Sequence, residues 1–179
     1  MPTKIIIVLL VFAAHLTLEA GEAPKFLDTG INELKLENAN SGKSLLSEMP
    51  LNCKAVVVDY YCFFNKDETQ NIELNWHPGS NRFTISEVTV KYGKGDKSSI
   101  NYPSNTSEFM TIKGIKLGVS PSYLKNKLGE PTSINANVYY YRAESNQYIF
   151  EEYNMPIYYG QYKFENEALI EFRFGFEYP

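Results

Sequence analysis

Gly114-Ile115-Lys116-Leu117-Gly118-Val119-Ser120-Pro121-Ser122-Tyr123-Leu124-Lys125-Asn126-Lys127-Leu128-Gly129-Glu130-Pro131 carries the marks of a short helix at both ends. Ser120 suits an N-cap, where its hydroxyl accepts from a free N–H of the first turn. Pro121 fits the first helical position, because an N–H there has no intrahelical partner to lose. Gly129 is a stop, and Pro131 bars continuation. The spacing predicts a helix over 121–128 with Leu124 and Leu128 on one buried stripe. A helix of about two turns holds only when packed against something else.

Strand-like sequence follows it. Segments 137–143 (NVYYYRA), 148–153 (YIFEEY), 157–164 (IYYGQYKF) and 169–178 (LIEFRFGFEY) are rich in aromatic and β-branched residues. Upstream the same order recurs more weakly. Gly30-Ile31-Asn32-Glu33-Leu34-Lys35-Leu36 leads to a short polar-capped stretch, 41–49, and Pro50. Segments 55–64, 71–76 and 83–92 then read as an antiparallel meander, with turns at 65–68 and 77–81 and an irregularity at Ser86-Glu87. The last strands of the two halves share one shape, Ile85-Ser86-Glu87-Val88-Thr89-Val90 and Leu169-Ile170-Glu171-Phe172-Arg173-Phe174. Between the halves, 93–107 is polar and rich in Gly and Ser, the composition of a linker or long loop. The expectation is an α+β chain of tandem units: 24–92, a linker over 93–108, and 109–179, each a short helix followed by antiparallel sheet.

The helix entry, carried by Gly114, Leu117, Gly118, Ser120, Leu124, Leu128, Gly129 and Pro131, together with the terminal strand 169–178, resembles the superfamily of the small SmpA/OmlA-type lipoprotein of the outer-membrane barrel-assembly machinery. The β-lactamase-inhibitor protein belongs to the same fold group and carries two such units in tandem. The resemblance implies a doubled helix-then-sheet fold and a role in protein binding. The chain departs from the lipoprotein in being doubled and in having no cysteine to lipidate. It departs from the inhibitor in having one possible disulfide, so no inhibitory activity is carried over.

Lys4 followed by the apolar run Ile5–Ala14 reads as the start of a secretory signal over 1–20, too short to span a bilayer core. Cleavage after Ala20 leaves about 159 residues, enough for one domain or two small units sharing a core. A periplasmic or extracellular location is expected, with no stable membrane anchor after cleavage. Cys53 and Cys62 are the only cysteines, and export favours a disulfide between them.

The formal charge of −4 and the dispersed lysines argue against nucleic acid as a partner. His77 is the only histidine after position 20 and lies in a His-Pro-Gly turn, where a solvated ring is expected. Neither a metal site nor a cofactor is expected, because ligand spacings and phosphate loops are missing. The pairs Glu151-Glu152, Glu165 with Glu167, and Glu171 with Glu177 read as solvated surface rather than acid–base machinery. The sequon Asn105-Thr106-Ser107 reads as chance beside a bacterial-looking helix entry. The 14 tyrosines remain. A tyrosine ring is apolar with a polar tip, and it anchors contacts at low entropic cost. The expected function is an exported, non-enzymatic protein-binding module using outward members of Trp76, Tyr139, Tyr141, Tyr159 and Tyr162. The alternatives are an outer-membrane assembly accessory and a secreted carbohydrate-binding or hydrolytic protein.

Overall fold

Three side-chain caps start the three helices of the described residues. Asn38 accepts from the Ser41 N–H at 3.0 Å and opens α1 (Ala39–Leu46). Ser120 accepts from the Tyr123 N–H at 3.2 Å and opens α2 (Pro121–Leu128), with the bounds the sequence predicts. Asn146 accepts from the Ile149 N–H at 3.1 Å and opens α3 (Gln147–Tyr153). This last element corrects the strand expected over 148–153. Asn146 at one end and a left-handed Asn154 at the other favour a helix more than Tyr, Ile and Phe favour a strand, and the helix buries Ile149.

The computed structural model describes residues 21–54, 59–95 and 97–177. The expected signal 1–20, positions 55–58 of the expected strand 55–64, and Tyr178 lie outside them. The strands are β1 (Gly30–Ile31), β2 (Leu34–Lys35), β3 (Cys53–Lys54), β4 (Asp59–Phe64), β5 (Gln70–Asn75), β6 (Glu87–Tyr92), β7 (Ile100–Asn101), β8 (Ser133–Asn135), β9 (Val138–Glu144), β10 (Ile157–Glu165) and β11 (Ala168–Glu177). The expected strand 83–92 begins only at Glu87, because Asn81 closes a turn first: its side chain accepts from the Phe83 N–H at 2.9 Å and its carbonyl from the Thr84 N–H at 2.8 Å.

β1 and β2 form a small hairpin, and the rest join one sheet in the order β3-β4-β5-β6-β11-β10-β9-β8, with β7 added beside β4. All the pairings are antiparallel except β4 with β7. The order of the eight strands rises to the centre and falls away from it. The central pair, β6 and β11, brings Thr89 opposite Arg173. These residues also correspond in the two shared strand shapes, Glu87 to Glu171 and Val88 to Phe172. The 93–108 segment is packed rather than loose. Ile100 pairs with Phe63, and Tyr102 is buried edge-on between Phe63 and Phe109.

Two hairpins pair with each other. β1-β2 is one, and Met110 paired with Lys116 makes the other. They touch at Ile31 and Thr111, with Asn32 N–H donating to Met110 O at 2.9 Å and Ile112 N–H to Gly30 O at 3.1 Å. Each hairpin is gripped by the far half of the sheet. Gln70 on β5 accepts from the Phe109 N–H at 3.0 Å. The Tyr158 hydroxyl on β10 accepts from Asp28 N–H at 3.0 Å and donates to Asp28 O at 2.8 Å. One continuous apolar cluster lies under hairpins and helices, from Ile31, Leu34, Leu46 and Ile72 to Leu124, Tyr162, Phe172 and Phe174. A disulfide joins Cys53 to Cys62, Cα atoms 5.9 Å apart, and ties the edge strand β3 to β4. Closing so short a loop is worth about 2–3 kcal/mol in chain-entropy terms. It is compatible with an oxidising, extracellular location.

Two features carry predictions. Gly42 on α1 lies against the Phe83 carbonyl, and a Cβ there would come within 1.9 Å of that oxygen. Gly42→Ala is expected to cost about 1–3 kcal/mol in urea unfolding, since backbone must shift to relieve the clash. Asp28 is fully buried, and burial raises its carboxyl to about 6 although Thr111, Lys113 and neighbouring N–H groups pull it down. A raised acid contributes stability below its unfolded value of 3.8 and loses it as pH rises through about 6. Asp28→Asn is therefore expected to match the wild type near pH 4 and to exceed it by about 3 kcal/mol at pH 7, read by denaturant unfolding at both pH values.

Candidate functional site

A strand residue's parity decides which face it serves. On β10 the buried Tyr158, Tyr162 and Phe164 point to the helices, as do Phe172, Phe174 and Phe176 on β11. The opposite face carries Tyr60, Asn71, Glu73, Glu87, Thr89, Lys91, Tyr140, Arg142, Tyr159, Gln161, Lys163, Glu171, Arg173 and Glu177, in the registers of the sheet. Most of its charged side chains are partly or well exposed, so this face is open to water.

The five expected anchors are divided by that parity. Tyr141 and Tyr162 lie in the core at 1% and 0% exposure, and so cannot act as outward anchors; their parity matches the phenylalanines of β11. Tyr141 donates its hydroxyl to Gly129 O at 2.9 Å, which ties β9 to the end of α2. Tyr139 lies half-buried on the helix side, 5.0 Å from the Phe164 ring, with Lys125 over its face. Trp76 is half-buried against Tyr61. Tyr159 alone of the five belongs to the open face, and even it is 8% exposed.

Tyr159 forms the floor of an open cleft of about 330 Å³ with His77, Glu87, Arg142, Gln161, Arg173, Phe176 and Glu177. Glu87 is the hub. It accepts from the Tyr159 hydroxyl, from Arg173 Nη2 at 2.5 Å and from Asn75 Nδ2 at 3.3 Å. Burial first, and then the charge of Glu87, push the Tyr159 hydroxyl far above its usual value, so it is a donor throughout the physiological range. Arg173 stacks over the Tyr159 ring at 5.6 Å. Arg142 reaches Glu144 with Nε at 2.5 Å and Glu177 with Nη1 at 2.6 Å. A second lattice continues outward, with Lys91 on Glu73 at 2.7 Å and Glu171 opposite Lys91.

The cleft corrects the expectation of a solvated turn for His77. The ring is half-buried, and desolvation lowers its pKa against the opposing pull of Glu87, which favours neutral imidazole at pH 7. Glu171 and Glu177 share the open face, each beside a basic partner, whereas Glu151 and Glu152 lie on α3. Among the described residues no group of three or more His, Cys, Asp or Glu could hold a metal ion, and no helix is long and apolar enough to cross a membrane. The cleft's acids are held in ion pairs, Glu87 with Arg173 and Glu177 with Arg142. The expected anchors leave out Arg142, Tyr140, Gln161 and Arg173. The signal was present in Glu171-Phe172-Arg173-Phe174-Gly175-Phe176-Glu177, whose aromatic parity marks the other parity as outward.

Fold and site together define a small α+β protein with a one-sided, mostly antiparallel sheet and an open, charge-patterned face. No protein-family model, curated protein or solved structure matches the chain.

Removing the hub and removing one spoke should differ. Tyr159→Phe leaves Glu87 two donors and is expected to cost about 1 kcal/mol. Glu87→Ala strands the Tyr159 hydroxyl and frees Arg173, and is expected to cost about 2–3 kcal/mol on the same urea curves.

Proposed function

We propose that this chain is an exported, non-enzymatic protein-binding module that receives its partner on the open face of the sheet. The observation that carries the reading is the open face itself: the described helices pack on the opposite side, and side chains across the centre are pre-set by cross-strand ion pairs. Arginine and tyrosine are the residue types that dominate energetic hot spots, and Tyr140, Tyr159, Arg142 and Arg173 lie on the neighbouring strands β9, β10 and β11 of this face. Pre-set side chains lose little entropy when a partner arrives. Basic and acidic residues nearly balance on the face, so partner choice rests on charge pattern rather than net attraction.

We further read the chain as two tandem copies of one helix-then-sheet unit, in line with the resemblance to the SmpA/OmlA type and β-lactamase-inhibitor fold group. The rising and falling strand order, the Thr89–Arg173 centre and the reciprocal grips of Gln70 and Tyr158 support this. Export is supported by the apolar run 5–14 and by the disulfide. A hydrolytic reading has one observation in its favour, the gathering of His77 with Glu87 and Glu177 in one cleft. It predicts turnover of chromogenic esters or glycosides that His77→Ala abolishes.

A photo-crosslinking amino acid placed at Tyr140 or Lys163 should trap a protein partner in the exporting cell, and the same group at Tyr123 on α2 should not. Tyr140→Glu combined with Lys163→Glu should weaken the isolated complex by about 100-fold or more. Crosslinks confined to the helix side would overturn the reading.

A further inference from the structure

Glu37 stands where the other half of the chain has glycine. Each hairpin ends in a matched run, Leu34-Lys35-Leu36-Glu37 and Ile115-Lys116-Leu117-Gly118. In both, the last residue enters the left-handed region, with φ of 53° at Glu37 and 84° at Gly118. In both, its N–H donates to a residue near the start of a central strand, Glu37 to Ile85 O at 2.9 Å just ahead of β6 and Gly118 to Leu169 O at 2.8 Å at the beginning of β11. Glycine is the residue this conformation favours, and a side chain there is strained. The structural task at this position therefore needs no carboxyl group, as Gly118 demonstrates.

The Glu37 carboxyl adds a second cost. Its Oε1 is buried with no hydrogen-bond partner among the described residues, and it forms no ion pair there. Burial alone raises the group to about 7. Glu37 lines a cleft of about 360 Å³ with Thr29, Lys35, Leu36, Asn38, Ile112, Glu152 and Tyr153, on the side away from the open sheet face. Leu36, Ile112 and the Tyr153 ring give this cleft apolar walls, and Ile112 is 59% exposed. Glu152 supplies a second carboxylate, and Thr29 and Asn38 supply neutral oxygens. Lys35 is the one cation in the lining, so two acids face one base.

We propose that this cleft binds an alkylammonium group, with the ammonium held by Glu37 and Glu152 and the alkyl stem lying along Leu36, Ile112 and Tyr153. A lysine side chain of a bound protein and the end of a free polyamine present the same chemistry. An ammonium has three donors and no acceptor, which matches a lining of carboxylate, hydroxyl and amide oxygens. Entry of the cation gives the buried Oε1 the partner it lacks. Strain and desolvation at Glu37 are then the cost of keeping a ligand group in place, a recurrent pattern at functional sites. The site is independent of the open sheet face and stands or falls separately from it.

The test uses Nα-acetyl-lysine methylamide and cadaverine as probes at pH 8, where the carboxyl is ionised, with Nα,Nε-diacetyl-lysine methylamide as the uncharged control. Saturating amine should raise the melting temperature of the wild-type chain by about 2–4 °C, and the control should not. A response to the lysine amide alone points to a protein ligand, and a response to both extends the site to polyamines. Glu37→Gly should melt about 2–4 °C above the wild type without probe and lose the response to it. Glu37→Gln, which keeps backbone and volume, should lose the response as well. A wild-type chain that ignores both amines, or a Glu37→Gln chain that still responds, overturns the proposal.

Discussion

The antiparallel seam between β6 and β11 is the constraint on which the molecule rests. It makes one nine-strand sheet of what would otherwise be a five-strand and a four-strand piece. The seam is reinforced from below by reciprocal grips: Gln70 holds the backbone at Phe109, and Tyr158 holds the backbone at Asp28. Each half of the sheet thereby fixes the hairpin that belongs to the opposite half of the chain. Neither half has a complete core without the other, and the apolar cluster runs unbroken across the centre.

That arrangement places all covering elements on one side of the sheet. The other side is left for side chains of the opposite parity, and at the centre these are charged because Glu87, Thr89, Arg173 and Gly175 meet across the seam. Gly175 is required there, since a Cβ would come within 2.3 Å of the Ser86 carbonyl. The open cleft is thus a by-product of the same pairing that completes the core. Two acids, the buried Asp28 and the half-buried Glu37, run against stability at neutral pH. Asp28 lies where the two hairpins meet, and Glu37 sits at the exit of the first. Their burial is tolerable only because the surrounding sheet and hairpins hold the backbone regardless.

Much of the local architecture was legible beforehand. Ser120, Pro121 and Gly129 delimited α2 without help from the rest of the chain, because caps act within a single turn. Alternation located β5, and aromatic and β-branched composition located β10 and β11, to within a residue or two. The strand expected over 148–153 failed because the composition of Tyr, Ile and Phe speaks for sheet, whereas the outcome turned on Asn146 and Asn154 at its ends. Composition marks tyrosine as a candidate anchor but not which face each ring takes, and Tyr141 and Tyr162 serve the core.

The sequence by itself determined the short capped helices, the alternating strands and the only disulfide available, since each depends on residues close together in the chain. Tertiary structure decided which tyrosines face water, that His77 joins Glu87 and Glu177 in one cleft, and that the Glu37 Oε1 is buried without a partner among the described residues. Those outcomes follow from strand register and from the β6–β11 pairing. Shifting a strand's register by one residue would exchange its two faces, and no local pattern states which register the opposite half of the chain will impose.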